Sequence, residues 1–273
     1  MRLQDKLLQL KTERKAILAA NFYNFETLSG ILQAASILKM PVILQLSESS
    51  IRYMGLTVAT AMAKTALREF AVEGWLHLDH GSSVEIVQCC LDEGFDSVMI
   101  DASEKSLDEN IRITRQIVKI AAGYDANVEA ELGFVAKLGQ KQNKQGFTQP
   151  QDAIRFVDST DIHALAIAIG SSHGFYKQSP KLDIELLARI SDNIPTPLVL
   201  HGSSGIPDAM LQEAIQNGIC KINLATETKN TFMLALKERL KNNREIDLRV
   251  VFPDATQAVV NLIVQKMKTI HQA

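Results

Sequence analysis

The chain has 273 residues, enough for one large domain, and its 46% hydrophobic and 22% charged content is ordinary for a globular protein. Its formal net charge of −2 offers no basic field for nucleic acid and no charged block that reads as an interaction tail. Cys89, Cys90 and Cys220 make neither a CxxC pair nor a disulfide framework, no apolar run approaches the roughly 20 residues of a membrane span, and MRLQDKLLQL carries charges where a signal peptide needs an apolar core, so a reducing cytoplasm is the simplest setting.

Short apolar runs recur along the chain: AILAAN (16–21), PVILQLS (41–47), WLHLDH (75–80), SVMIDAS (97–103), NVEAELG (127–133), ALAIAIG (164–170), PLVLHGS (197–203) and ICKINLAT (219–226). Several are continuous rather than alternating, as in strands covered on both faces. Helical stretches lie between them. After the first run, Leu28, Ile31, Leu32, Ala35 and Leu38 share one helical face. After the fourth, Ser106 and Glu109 form a capping-box pattern ahead of Leu107, Ile111, Val118 and Ala121 on one face. Strand alternating with helix about eight times predicts a parallel sheet, and the length fits a single-domain (β/α)₈ barrel covering residues 1–273. An open doubly wound sheet is the alternative, but no GxGxxG follows the first strand.

In such a barrel the active-site residues sit at the C-terminal ends of the strands. Those ends carry Asn21, Ser47, Asp79 with His80, Asp101, Glu131, GSSHG (170–174), HGSSG (201–205) and NLAT (223–226). His80, His173 and His201 therefore converge on one mouth. Three imidazoles with one position left open form a catalytic zinc arrangement. Asp101 and Glu131 are placed to orient those imidazoles or to hold a shifted metal. A single strand-end histidine is more often structural, and His77, His163 and His271 are read that way: His77 as core, His163 at the opposite end of the barrel, His271 in the tail. The glycines and serines after strands 7 and 8, with the helix N-termini that follow, are suited to hold a phosphate through backbone N–H groups. Ordinary turn and cap chemistry is the other reading of the same residues. Lys221 shares a strand face with Asn223; it is either a Schiff-base lysine or a buried charge paired with a carboxylate, and the metal constellation favours the second.

HLDHG, SVMIDAS, VEAELG, AIGSSHGFYK, LVLHGSSG and KINLATET, in this order and spacing, resemble the class II, metal-dependent ketose-bisphosphate aldolases, the family of fructose-bisphosphate and tagatose-bisphosphate aldolases. The resemblance runs from AANFYNFET (19–27) to the final helix. It implies reversible cleavage of a ketose phosphate into dihydroxyacetone phosphate and an aldehyde. It implies Zn2+, one per subunit, on His80, His173 and His201, and extends to a monovalent cation near the phosphate. Asp79 matches the acid that moves the C4-hydroxyl proton. Gly174, Gly202, Ser204, Asn223 and Thr226 match phosphate-holding positions, and Asn21, Ser47, Asp101 and Glu131 match residues around substrate and metal. A homodimer or homotetramer is also implied. An apolar excess on the last helix, roughly 254–270, at Val259, Val260, Leu262, Ile263, Met267 and Ile270, points the same way.

Two segments depart from the pattern. FVAKLGQKQNKQGFTQ (134–149) has three lysines and no Asp or Glu, where the family carries acidic residues that serve proton transfer. PDATQAVV (253–260) has Thr256 or a neighbour where the family has an arginine for the distal phosphate. Lys137, Lys141, Lys144 and Arg52 are the candidate replacements. The other readings are an aldolase acting on a different aldehyde, a Schiff-base aldolase using Lys221, and a non-catalytic partner subunit that binds metal or sugar phosphate.

Overall fold

Eight parallel strands close on themselves in chain order: β1 (Ile17–Asn21), β2 (Val42–Ser47), β3 (Gly74–Gly81), β4 (Ser97–Ile100), β5 (Asn127–Leu132), β6 (Ala164–Ile167), β7 (Leu198–Leu200) and β8 (Ile219–Leu224), with β8 pairing back onto β1. The computed structural model describes residues 1–135, 146–176 and 180–272. All eight apolar runs are strands, and the (β/α)₈ barrel is the observed fold.

The helices are α1 (Leu3–Glu13), α2 (Phe25–Leu38), α3 (Glu48–Met54), α4 (Leu56–Glu69), α5 (Val84–Asp92), α6 (Leu107–Ala121), α7 (Pro150–Thr160), α8 (Ile184–Asn193), α9 (Asp208–Gln216), α10 (Thr226–Leu240) and α11 (Leu248–His271). Their apolar faces and the outward residues of the strands make the main core. The predicted cap of α6 is present, with Ser106 Oγ accepting the Glu109 N–H. Gly30 lets α2 approach α11, because a Cβ there would stand 2.8 Å from Val259 Cγ1.

Inside the barrel, strand alternation stacks residues in layers. The bottom layer is apolar: Ile17, Ile43, Trp75 and Val199, closed from below by Leu3, Leu7 and Leu10 of α1. The next layer is polar and buried: Gln45, His77, Glu129 and Lys221. Above it, at the C-terminal mouth, stand Asn21, Asp79, Glu131, His201 and Asn223. Between β2 and β3 the register sets Ile43 opposite Trp75, Gln45 opposite His77, and Ser47 opposite Asp79.

The last helix begins at Leu248, six residues before the expected start, and runs through Pro253. The apolar excess read on it is not exposed. Val259, Val260, Ile263, Met267 and Ile270 are buried within the chain, because α11 packs between α2 and α10 and needs a wide apolar face. Among the described residues no helix is long and apolar enough to cross a membrane.

Candidate active site

Asp79 and His80 are consecutive, so regular pleating would send them to opposite faces of the sheet. The register of β3 against β4 shifts between Leu78 and Gly81, and His80 takes a left-handed backbone at φ 54°. Both side chains therefore line the same cavity at the barrel mouth. A non-glycine residue pays about 1–2 kcal/mol for that conformation, so surrounding contacts must hold it. One such contact is the hydrogen bond of His80 Nδ1 with Asp101 Oδ2 at 2.9 Å, which leaves Nε2 facing the mouth.

His173, in the loop after β6, and His201, just past β7, complete the cluster. Ring centroids are 5.0 Å apart for His80 and His173, 4.7 Å for His80 and His201, and 6.0 Å for His173 and His201. One ring nitrogen of each lies within 4.8 Å of the others. His80 Nε2 and His201 Nδ1 are 3.0 Å apart; two nitrogens on one tetrahedral zinc stand roughly 3.3 Å apart at ordinary Zn–N lengths. The donor set and its spacing fit a zinc ion. His80, Asp101 and Glu131 form an overlapping set. Glu131 Oε2 is 3.4 Å from His201 Nδ1 and has no hydrogen-bond partner, an orphaned buried carboxylate oxygen facing the same point.

The charges around the cluster divide its members. Burial opposes the charge on His80, but Asp79 and Asp101 outweigh it and push the imidazole up to about 9. Burial, with His80 and His201 nearby, pushes His173 down to about 3. Burial raises Glu131. Burial works against ionised Asp79 too, but His80, His201 and the Asn21 amide hold it below the usual carboxylate range. Asn21 Nδ2 donates to Asp79 Oδ2 at 2.8 Å, Asn223 Nδ2 to Oδ1 at 3.4 Å, and Gln45 Nε2 holds Asn21 at 3.0 Å.

Two cavities meet at the histidines. One is lined by Asn21, Asp79, His80, His173 and Asn223 together with Gly174, Gly202, Ser204, Ala225 and Thr226. Gly202 has φ 69°, and a Cβ on it would stand 2.4 Å from Ser172 O. Ser204 Oγ accepts the Glu227 N–H at 3.1 Å, fixing the N-terminus of α10, whose first residue is Thr226. Among the described residues, no lysine or arginine lines this cavity; backbone N–H groups and a helix N-terminus are the anion donors on offer there. The other cavity shares His80 and His173 and is lined by Ser82, Asp101, Ala102, Glu104 and Lys105.

Ser47 lines neither cavity. It is paired with Asp79 in the sheet, and its hydroxyl caps α3 by accepting the Ser50 N–H. Arg52 is ion-paired with Glu48 at 3.3 Å, and Glu48 also accepts the Ser82 N–H at 2.6 Å. Thr256 lies in a groove between α2 and α11, in neither cavity. Lys137, Lys141 and Lys144 lie outside the described residues. Lys221 is the buried charge rather than a free amine: its Nζ is 2.7 Å from Glu129 Oε2.

Two residues beneath and beside the histidines were not among the candidates. Glu129 Oε1 is 2.9 Å from His201 Nε2. Tyr176 accepts the Ser172 N–H at 2.9 Å and donates to Gly202 O at 2.7 Å, tying the loop that carries His173 to the loop that follows His201. Glu129 was legible, since it sits two residues before Glu131 on the same strand face; nothing in the sequence marks Tyr176.

The family described as class-II fructose-bisphosphate aldolase matches residues 1–273. A fructose-bisphosphate aldolase from Geobacillus stearothermophilus is 40% identical over 256 residues, covering 91% of this chain and 88% of the relative. One from Giardia intestinalis is 34% identical over 299 residues, covering 99% and 93%. Among solved structures, the YdjI aldolase from Escherichia coli K12 superimposes with a TM-score of 0.88 at 33% identity, covering 98% of this chain and 96% of that one. With a family match along its whole length and the three histidines and Asp79 gathered at one barrel mouth, the chain belongs to the class-II fructose-bisphosphate aldolases, which are lyases.

Proposed function

We propose that this protein cleaves a ketose 1,6-bisphosphate, with fructose 1,6-bisphosphate the first substrate to test, reversibly into dihydroxyacetone phosphate and glyceraldehyde 3-phosphate. The observation that carries this reading is the placement of ionised Asp79, its Oδ1 3.9 Å from His80 Nε2, in one cavity with the histidine cluster. His80, His173 and His201 would hold one zinc ion, which when bound supplies Lewis acidity toward the substrate's C2 carbonyl.

The remaining chemistry falls to side chains of the chain. Asp79 takes the proton from the C4 hydroxyl. The C4–O electrons then form the aldehyde carbonyl as the C3–C4 bond breaks, and the bonding pair passes to C3 of the dihydroxyacetone-phosphate half, which takes up a proton from solvent to complete the product while Asp79 releases its own. The Asn21 and Asn223 amides aim both carboxylate oxygens of Asp79, and this fixed geometry removes the orientational cost of proton transfer. Gly174, Gly202, Ser204 and the start of α10 at Thr226 bind the C1 phosphate through backbone N–H groups. The cavity beyond His80 and His173 receives the aldehyde half.

The family, the absence of a disulfide among Cys89, Cys90 and Cys220, and the lack of a membrane-crossing helix among the described residues support a cytoplasmic enzyme. A monovalent cation beside the phosphate rests on the resemblance alone. A homodimer or homotetramer is supported by exposed apolar side chains at the α2–α11 groove, Phe25 at 55% and Leu248 at 61%, rather than by the face of α11 that packs inward. The test of the activity is dihydroxyacetone phosphate release from fructose and tagatose 1,6-bisphosphates and the matching 1-phosphates. Turnover on at least one bisphosphate supports the reading, and none on any of the four overturns it.

A further inference from the structure

The layer below the histidines is a continuous polar chain through four strands. His201 Nε2 meets Glu129 Oε1 at 2.9 Å, and Lys221 Nζ meets Glu129 Oε2 at 2.7 Å. Lys221 also reaches His77 Nε2 at 3.3 Å; His77 Nδ1 is 2.7 Å from Ser97 Oγ, which accepts from Asn127 Nδ2 at 3.2 Å. His201, Glu129, Lys221 and His77 are each no more than 1% exposed. A buried carboxylate needs a counter-charge, and an isolated buried lysine needs the converse. Each oxygen of Glu129 therefore has one donor, which fixes the carboxylate plane as well as its charge.

We infer that Glu129, braced by Lys221, is a positioning residue that decides which nitrogen of His201 is free for a metal. A carboxylate accepts only, so the His201 nitrogen facing it carries the hydrogen. That nitrogen is Nε2. The lone pair is left on Nδ1, the atom 3.0 Å from His80 Nε2 and 3.4 Å from Glu131 Oε2. His80 is set the other way round, with Asp101 on Nδ1 and Nε2 turned toward His201 Nδ1. The two imidazoles thus offer opposite ring nitrogens to one point, each chosen by its own carboxylate. Lys221 has the complementary task of fixing the Glu129 carboxylate by its contact with Oε2, so that Oε1 stays on His201 Nε2.

The inference rests on the reading of His201 as a zinc ligand, but its first test does not. In metal-free, full-length protein with ¹⁵N-labelled histidine, long-range ¹H–¹⁵N spectra report the tautomer of each neutral imidazole. His201 is expected as the Nε2–H form, and a proton on Nδ1 overturns the proposal even if the enzyme cleaves its substrate. The second test is zinc affinity, read by competition with a chelating dye. A Glu129→Leu, Lys221→Met double variant removes both charges and the acceptor. With its fold confirmed by circular dichroism, it is expected to bind zinc 10- to 100-fold more weakly, the usual range for loss of such a partner. Wild-type affinity in the folded double variant overturns the proposal. Glu129→Asp, which retains the charge but retracts it, is expected to fall between the two and serves if the double variant does not fold. Failure of the wild type to bind zinc would sink the functional reading and leave the tautomer result standing.

Discussion

Asp79 and His80 are neighbours in the chain and face the same cavity, because His80 adopts φ 54° where β3 slips against β4. This backbone feature puts the proposed base beside a proposed metal ligand. It also explains why an apolar strand ends in a carboxylate followed by an imidazole and then Gly81, which lies so close to β4 that a Cβ on it would meet Met99 O at 2.6 Å.

Replacing Asp79 by Asn keeps the shape and the contact with Asn21 but removes the base. We expect zinc and substrate binding to persist while kcat falls roughly 10²-fold or more, the usual worth of a positioned general base. Steady-state kinetics with a binding measurement on the same preparation decides it, and near-normal turnover would move the role to another residue.

Gly202→Ala sets a methyl group 2.4 Å from Ser172 O at a backbone of φ 69°. Strain of this kind costs about 2 kcal/mol, a fall in Tm of roughly 4–8 °C for a chain of this length. The displaced loop carries His173 and Gly174, so weaker dihydroxyacetone phosphate binding should accompany the lower Tm. An unchanged melting curve would mean the two loops are not locked as described.

His77 gives the acid limb of stability a testable sign. Burial, reinforced by Lys221 and opposed by Glu129 on β5 and by Asp79 two residues along β3, holds it at about 3 in the fold against 6.5 ordinarily. Between those pH values the unfolded chain binds a proton that the native chain refuses, so its contribution to stability is lost as pH falls from about 6.5 toward 3. The slope from one such group reaches about 1.4 kcal/mol per pH unit. Denaturant titrations of wild type and His77→Gln across this range should show a shallower fall in the variant, and parallel curves would refute the assignment.

Much of this site was readable because (β/α)₈ barrels put their chemistry at strand ends, and His80, His173 and His201 occupy three such ends. In the layer beneath, His77 reads as core and Lys221 as a buried charge paired with a carboxylate, but the carboxylate itself was missed: Glu129 lies two residues further down its strand than Glu131, where an apolar interior is the ordinary expectation. The slip at His80 and the Tyr176 clasp depend on tertiary contacts that no periodicity encodes. The surplus read on α11 failed because a helix wedged between α2 and α10 buries more than one stripe.

The distal phosphate has a candidate in Lys105, which lines the cavity on the aldehyde side, whereas Arg52 is engaged by Glu48. Lys105→Ala is expected to lower kcat/KM for a 1,6-bisphosphate about tenfold, some 1.4 kcal/mol, and to leave the matching 1-phosphate unaffected. Equal losses on both substrates would place Lys105 elsewhere in the mechanism.

Assembly should depend on the α2–α11 groove. Light scattering of the wild type is expected to give a mass of at least two chains, and a Phe25→Glu, Leu248→Glu variant a single chain with an unchanged circular dichroism spectrum. A monomeric wild type at micromolar concentration would remove the proposed interface.

Three histidines are proposed to hold the zinc ion on which cleavage depends. The most direct test is zinc titration of chelator-stripped protein, following bound metal and dihydroxyacetone phosphate release from fructose 1,6-bisphosphate together. One zinc per chain should restore full activity in the wild type, and His80→Ala, His173→Ala and His201→Ala variants should fold but lose both binding and turnover. Full activity in the stripped enzyme, or one tightly bound zinc in a variant lacking all three imidazoles, would contradict the proposal.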